Sequence, residues 1–257
     1  MARPILFALD HTVEIVAHRG YSAVAPENTV AALTRALDEG ATAVEFDLHT
    51  AGDGTPILLH DETLDRTTSG TGHVTAHRME ELSELDAGSW FDPSFAGERL
   101  PTLTSALAAI APRVRTIFAE IKGVRHLEDV QTIVSETRSA GLIDRTVFIS
   151  MDWALLDEVR RHVPTALLGP IVEYPDRVDA AFDRVADDPR SLLDFDARIL
   201  LADPGLIARA HDEDVPLAVW TVDEIHDAAR LLELGVRRIT TNQVGRLLSW
   251  ARTLVND

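Results

Sequence analysis

The chain has 257 residues, 46% of them hydrophobic, which suits one large α/β domain with a substantial buried core. Its 24 Lys and Arg against 42 Asp and Glu give a net charge of −18, a balance that repels nucleic acid and anionic membranes, so an anionic substrate would need local positive charge or a cation. There is no cysteine, which excludes disulfides and thiolate chemistry. No stretch approaches a membrane span, and the apolar run in residues 1–10 is too short for a secretory leader.

Apolar β-type runs alternate with helical patterns along the whole chain. They predict barrel-type strands near 13–17, 42–47, 114–120, 146–150, 165–169, 198–201, 216–221 and 237–241. Helices are predicted near 28–39, 103–111, 126–140, 153–162, 176–187, 204–213, 223–234 and 243–254. Strand followed by helix, repeated eight times, implies a parallel sheet closed on itself, an α/β (β/α)8 TIM barrel. Residues 55–60 follow the second strand too closely for a right-handed crossover. They are expected to fold back about Gly52-Asp53-Gly54 as an antiparallel arm over the C-terminal rim, where active sites of this fold sit.

A small inserted segment, about residues 61–102, fits no strand–helix unit, and such excursions from a catalytic rim are usually functional or lid-like. Within it, Glu80 to Asp86 reads as a short amphipathic helix, and Trp90, Phe91 and Phe95 either form an apolar groove or pack the segment onto the barrel. Asn28 and Asp223 are placed as helix N-caps, Gly40 and Gly235 as left-handed residues after helix ends. One domain covering 1–257 is the simplest division. The expected partner is a small molecule, in a cytoplasmic protein of undetermined oligomeric state without stable membrane insertion.

Chemistry-bearing residues gather at strand ends. Glu45 and Asp47 are two apart on a strand and so share a face. Burying both among apolar neighbours is costly without compensation, and a divalent cation compensates both. Glu120, ending another strand, supplies a third oxygen ligand suited to Mg²⁺, Ca²⁺ or Mn²⁺; the alternative is a cluster neutralised by Arg19 and Lys122 alone. His18 and His60 each stand beside a charged residue at a strand end and are expected to flank a phosphoryl group. One would act as base and the other as acid, with the assignment leaning to His18 as base. Arg19 and Lys122 are candidate phosphate contacts, although Arg19 could instead only neutralise Glu45. Trp220 is either core or an apolar wall of the pocket, and Ser150 is a weaker candidate donor. His11, His49, His73, His77, His126, His162, His211 and His226 are assigned to the surface.

Together these segments resemble the glycerophosphodiester phosphodiesterase family. The matching pieces run in family order: His18-Arg19-Gly20, Pro26-Glu27-Asn28-Thr29, Glu45-Phe46-Asp47-Leu48, Asp53-Gly54, His60-Asp61, Leu64-Asp65-Arg66-Thr67-Thr68, Gly72, Pro101-Thr102-Leu103, Glu120-Ile121-Lys122 and Val219-Trp220-Thr221-Val222. The resemblance implies a barrel with an insertion after the His-Asp motif. It also implies divalent-metal-dependent hydrolysis of glycerophosphodiesters to glycerol 3-phosphate and an alcohol. Its metal ligands would be Glu45, Asp47 and Glu120, and its acid/base pair His18 and His60. In such enzymes the substrate's own 2-hydroxyl is a candidate nucleophile, favoured by proximity.

Two departures stand out. Where the family often ends its last strand in Thr-Asp, this chain reads Thr241-Asn242, and Ser150 is followed by Met151 rather than Phe. Both are expected to affect the alcohol-side pocket and to leave the histidines untouched. Lysophospholipase D-like or sugar-phosphodiester hydrolysis, and a non-catalytic phospho-ligand binder, are the competing functions. An amidohydrolase ranks low because the first strand lacks His-x-His.

Overall fold

The computed structural model describes residues 13–254, so residues 1–10, on which the leader expectation rests, and His11 lie outside the described residues. In chain order the elements are β1 (Glu14–Ala17), α1 (Val30–Glu39), β2 (Ala43–Thr50), β3 (Pro56–Leu58), α2 (Met79–Leu82), α3 (Leu103–Ile110), β4 (Thr116–Ile121), α4 (Val130–Ser139), β5 (Thr146–Ser150) and α5 (Trp153–His162). There follow β6 (Leu167–Val172), α6 (Val178–Val185), β7 (Leu193–Asp196), α7 (Ala197–Ala202), α8 (Gly205–Asp212), β8 (Leu217–Trp220), α9 (Ile225–Glu233), β9 (Arg238–Thr241) and α10 (Val244–Thr253). Strands β1, β2 and β4 to β9 pair in parallel, and β1 joins both β2 and β9, so the sheet closes into a TIM barrel. Strand β3 turns back antiparallel on β2, with Leu48 opposite Leu58, as the short Gly-Asp-Gly connection requires. Among the described residues no helix is long and apolar enough to cross a membrane.

One expected strand is displaced. The sixth barrel strand is β7 at 193–196, and residues 198–201 lie inside α7. Leu193 and Phe195 pack outward with Phe182 and Leu200, whereas Asp194 lines the cavity inside the barrel. The alternation is therefore apolar towards the helices and acidic towards the lumen. Asp196 caps α7 by accepting from Arg198 N at 2.8 Å, so the apolar Ile199-Leu200-Leu201 run continues as helix.

Two cap assignments also change. Thr29, not Asn28, caps α1, its hydroxyl accepting from Ala32 N at 3.1 Å. Asn28 itself adopts a left-handed φ of 57° and is buried. Glu224 occupies the cap position of α9, and Asp223 turns to β9 and its exit, accepting from Thr241 Oγ1 at 2.9 Å and Asn242 N at 2.8 Å. Gly40 and Gly235 do adopt left-handed backbone, with φ of 106° and 110°.

The barrel lumen is filled by Val16, Phe118, Val147, Ile149, Leu167, Ile171, Leu192 and Ala218. Outside it, two apolar clusters bind the strands to the helices; α1, for example, inserts Leu33 and Leu37 beside Phe46. Truncating a side chain such as Leu33 to Ala would cost about 2–5 kcal/mol. The excursion after β3 has its own small core of Leu59, Leu64, Val74, Leu82 and Leu100. Its helix is confined to 79–82, because Asp86 instead serves a turn, accepting from the backbone N–H of Gly88, Ser89 and Gly97. The three aromatics stack edge-to-face, Trp90 on Phe91 and Phe91 on Phe95, each pair at 5.7 Å, and Trp90 Nε1 donates to Ala87 O. They form a packing cluster within the excursion.

Candidate active site

At the C-terminal rim of the barrel lies an open cavity of about 110 Å³. It is lined by His18, Arg19, Glu45, His60, Glu120, Lys122, Ile149, Met151, Ile171, Glu173, Asp194, Trp220 and Thr240. Glu45 reaches it from β2 and Glu120 from β4, and Asp47, also on β2, is paired in register to Glu120. Each of the three offers a carboxylate oxygen within 4.8 Å of the others, and all three are buried.

Local sequence explains how the trio is held. Gly20 has a φ of 80°, and a Cβ there would lie 2.5 Å from Ala32 C, so only glycine lets β1 pass this close to α1. That turn aims Arg19 N at Glu45 Oε2, 2.7 Å away. Arg19 places Nε 3.1 Å from Asp47 Oδ2 and Nη1 2.9 Å from Glu27 Oε1, so its side-chain contacts are to Asp47 and Glu27, while Glu45 takes its backbone N–H and feels its charge. Asn28 brackets Asp47 from both sides, donating Nδ2 to Oδ2 at 2.8 Å and accepting the Asp47 N–H at 3.0 Å. Lys122 Nζ lies 2.8 Å from Glu120 and 3.6 Å from Asp47.

These contacts split the titration of the trio. Burial alone would raise Asp47, but Arg19, Lys122, His60 and the Asn28 hydrogen bond more than offset it and hold it below the usual carboxylate range. Glu45 is pushed well up, first by burial and then by Asp47 and Glu120. Burial followed by Asp47 pushes Glu120 to about 7. Oxygens Glu45 Oε1 and Asp47 Oδ1 are buried without a hydrogen bond. Three crowded carboxylates form an oxygen donor set that fits one hard divalent cation.

The two imidazoles are oriented by different neighbours. Asn242 donates Nδ2 to Asp223 Oδ2 at 2.8 Å, which turns its Oδ1 towards Ser22 Oγ and towards His18 Nδ1 at 2.7 Å. Because an amide oxygen only accepts, His18 Nδ1 carries the proton and Nε2 keeps the lone pair. Burial, reinforced by Arg19, lowers His18 to about 4, so the ring is neutral near pH 7. His60 Nδ1 instead faces Asp61 Oδ1 at 2.6 Å, and its backbone carbonyl accepts from His49 Nε2 at 3.1 Å.

The expected site residues His18, His60, Arg19, Lys122, Trp220, Glu45 and Glu120 all line one cavity, and Asp47 offers an oxygen within 4.8 Å of Glu45 and Glu120. Three expectations are corrected. Asn242 does touch a histidine. Ser150 is buried and donates to Ile121 O at 2.8 Å while accepting from Asp152 N, so it ties backbone together and does not line the cavity. His49 is buried beneath His60, not at the surface.

Sequence reasoning assigned no role to Asp61, Glu27 or Asp194. The first was signalled by adjacency to His60. Asp194 is buried on the lumen side of β7, with Oδ1 lacking a hydrogen bond, and its carboxyl is pushed well up, first by burial and then by Glu120. Trp220 Nε1 is likewise buried without a partner, on a half-buried ring at the cavity wall.

The chain is similar to known proteins. The family model described as the glycerophosphoryl diester phosphodiesterase family matches residues 18–246. A glycerophosphodiester phosphodiesterase of Caldanaerobacter subterraneus is 32% identical over 93% of this chain and 97% of its own. A probable glycerophosphodiester phosphodiesterase 1 of Mycobacterium tuberculosis is 31% identical over 92% and 91%. Among solved structures, a phosphodiesterase of Oleispira antarctica in complex with the product sn-glycerol-3-phosphate superposes with a TM-score of 0.80 at 25% identity, covering 93% of this chain and 96% of that one.

Proposed function

The chain belongs to the glycerophosphoryl diester phosphodiesterase family and hydrolyses glycerophosphodiesters, and from that premise we propose a metal-dependent mechanism run by two histidines with opposite roles. The observation that carries the reading is the meeting of two separately oriented imidazoles and a crowded carboxylate trio in one cavity. Glu45, Asp47 and Glu120 would hold the cation; when bound, Mg²⁺, Ca²⁺ or Mn²⁺ supplies positive charge at the phosphoryl oxygens. Lys122 and the remaining Arg19 donors face the same oxygens and stabilise the charge that builds during attack.

His18 is the base. Its Nδ1–H is committed to Asn242, its buried ring is neutral, and Nε2 accepts the proton of the attacking hydroxyl, either the substrate's own 2-hydroxyl or water. His60 is the acid. Its Nδ1–H rests on the Asp61 carboxylate, which fixes the ring's orientation, and Nε2–H protonates the departing alkoxide. Where the 2-hydroxyl attacks, the cyclic phosphate is opened by water with the two roles exchanged. The products are glycerol 3-phosphate and the free alcohol. Trp220 walls the alcohol side of the cavity.

The test is a coupled assay for glycerol 3-phosphate with glycerophosphocholine and glycerophosphoethanolamine, with each cation and with excess chelator. Turnover that survives chelation refutes the metal part of the reading. Faster cleavage of lysophosphatidylcholine than of glycerophosphocholine would move the substrate to the acylated diesters.

A further inference from the structure

Two elements of the site, one on His60 and one on Arg19, are tied to one residue outside the cavity. Arg66, from the excursion after β3, forks over two carboxylates. It donates Nε to Asp61 Oδ2 at 2.7 Å and Nη2 to Asp61 Oδ1 at 2.9 Å. It also donates Nη1 to Glu27 Oε2 at 3.0 Å and Nη2 to Glu27 Oε1 at 2.8 Å. Asp61 in turn holds His60 Nδ1, and Glu27 holds Arg19 Nη1, whose guanidinium contacts Asp47. One guanidinium thus joins a His60–Asp61 arm to a Glu27–Arg19–Asp47 arm.

We propose that Arg66 is a positioning residue through which the excursion sets the acid histidine and the metal-side arginine in a single geometry. The inference rests on the proposed two-histidine mechanism. Three features support it beyond the contacts. The flanking residues Leu64 and Thr67 are buried, and Thr68 Oγ1 donates to Leu64 O at 2.7 Å, so the backbone carrying Arg66 is anchored in the excursion's core. All four oxygens of Asp61 and Glu27 are engaged by the Arg66 fork, a planar two-carboxylate match that lysine does not reproduce. Asp61 is held far below the usual carboxylate range, chiefly by hydrogen bonding to Arg66, and so stays an anion under His60. The Arg66 side chain is 43% exposed, so its ion pairs add little stability, and its effect is orientational.

The experiment compares Arg66→Ala, Arg66→Lys and Arg66→Gln in the full chain, at saturating cation, with glycerophosphocholine as substrate. Arg99→Ala, which removes an exposed arginine of the same excursion bonded to Glu84 O, is the control. Expected is a fall in kcat of about 10- to 100-fold for Arg66→Ala and a similar fall for Arg66→Lys, with little change in KM. Added guanidinium chloride, at concentrations well below unfolding, should restore part of the Arg66→Ala rate and leave the Arg99→Ala rate unchanged.

An independent readout is the downfield Nδ1–H proton resonance of His60, assigned by its loss in His60→Asn. It should weaken or broaden in Arg66→Ala while the thermal midpoint stays near that of the parent. A kcat within threefold of the parent in Arg66→Ala with the resonance unchanged overturns the proposal. So does a loss of rate that follows loss of folded protein across all three variants. A parent chain with no turnover of any diester would instead remove the mechanism on which the inference rests.

Discussion

At the lower end of the barrel the first residues of β1, β4 and β9 bring Glu14, Thr116 and Arg238 together. Glu14 accepts from Arg238 Nε at 2.6 Å and from Thr116 Oγ1 at 2.8 Å, and Arg238 stands over the Phe118 ring. Both Glu14 carboxylate oxygens are satisfied. Towards the upper end β2 and β4 crowd Glu45, Asp47 and Glu120, with buried oxygens that lack hydrogen bonds and protonation states driven apart. Both ends bury charge, but the Glu14 oxygens all find hydrogen-bond donors, whereas Glu45 and Asp47 each keep a buried oxygen without one. The difference separates a structural ion pair from a site left incomplete for a ligand.

The sharpest way to break this comparison is to remove chemistry above without touching stability. His18→Ala should lower kcat by about 10²- to 10⁴-fold, with the urea midpoint nearly unchanged. The converse holds below. Arg238→Met strands the Glu14 carboxylate and should destabilise by about 3–5 kcal/mol in equilibrium unfolding, while the folded fraction keeps its kcat. Combining it with Glu14→Leu should recover much of that loss; if it does not, the lower pair is not self-contained.

A cation should act at one end alone. Saturation with Mg²⁺, Ca²⁺ or Mn²⁺ at 100 times its Kd should stabilise by about 2.7 kcal/mol, seen as a raised thermal midpoint. Glu120→Gln should abolish most of that rise, and Glu14→Gln should not.

The smallest effect is the dependence on pH in chelator. Folded Glu120 keeps its proton to about pH 7, whereas its ordinary value is 4.5. Between those values the folded state binds more protons than the unfolded state, so the contribution is fully present below pH 4.5 and is lost as pH rises through about 7. The urea midpoint should therefore decline across that window, less steeply in Glu120→Gln, and added cation should flatten the decline. A midpoint that rises with pH in chelator would contradict the crowding.

Much of this was legible in the chain. Seven of the eight barrel strands and the hairpin arm lie where periodicity put them, and His18, Arg19, Glu45, His60, Glu120, Lys122 and Trp220 line one cavity, whereas Ser150 does not. The strand that slipped, β7, did so because its lumen-facing position is Asp194, and hydropathy cannot tell a buried acid from a solvated one. Asn28 and Asp223 were read as caps because each is a good cap type next to a helix. Both were drawn away by carriers of site chemistry, Asn28 by Asp47 and Asp223 by Asn242.

Residue types and their two-residue and strand-end spacings by themselves determined the barrel, the shared face of Glu45 and Asp47, and the supply of two histidines, because backbone geometry converts local order directly into facing. Only the tertiary structure decided which neutral and charged partners meet each of them. Asn242 reaches His18 from the far end of the chain and Arg66 reaches Asp61 and Glu27 from the excursion, while Asp61 on His60 and Glu27 on Arg19 are near in sequence and are turned into contact by the fold. Their protonation and orientation depend on distances of a few ångströms across the barrel mouth, which closing the sheet creates and sequence spacing does not record.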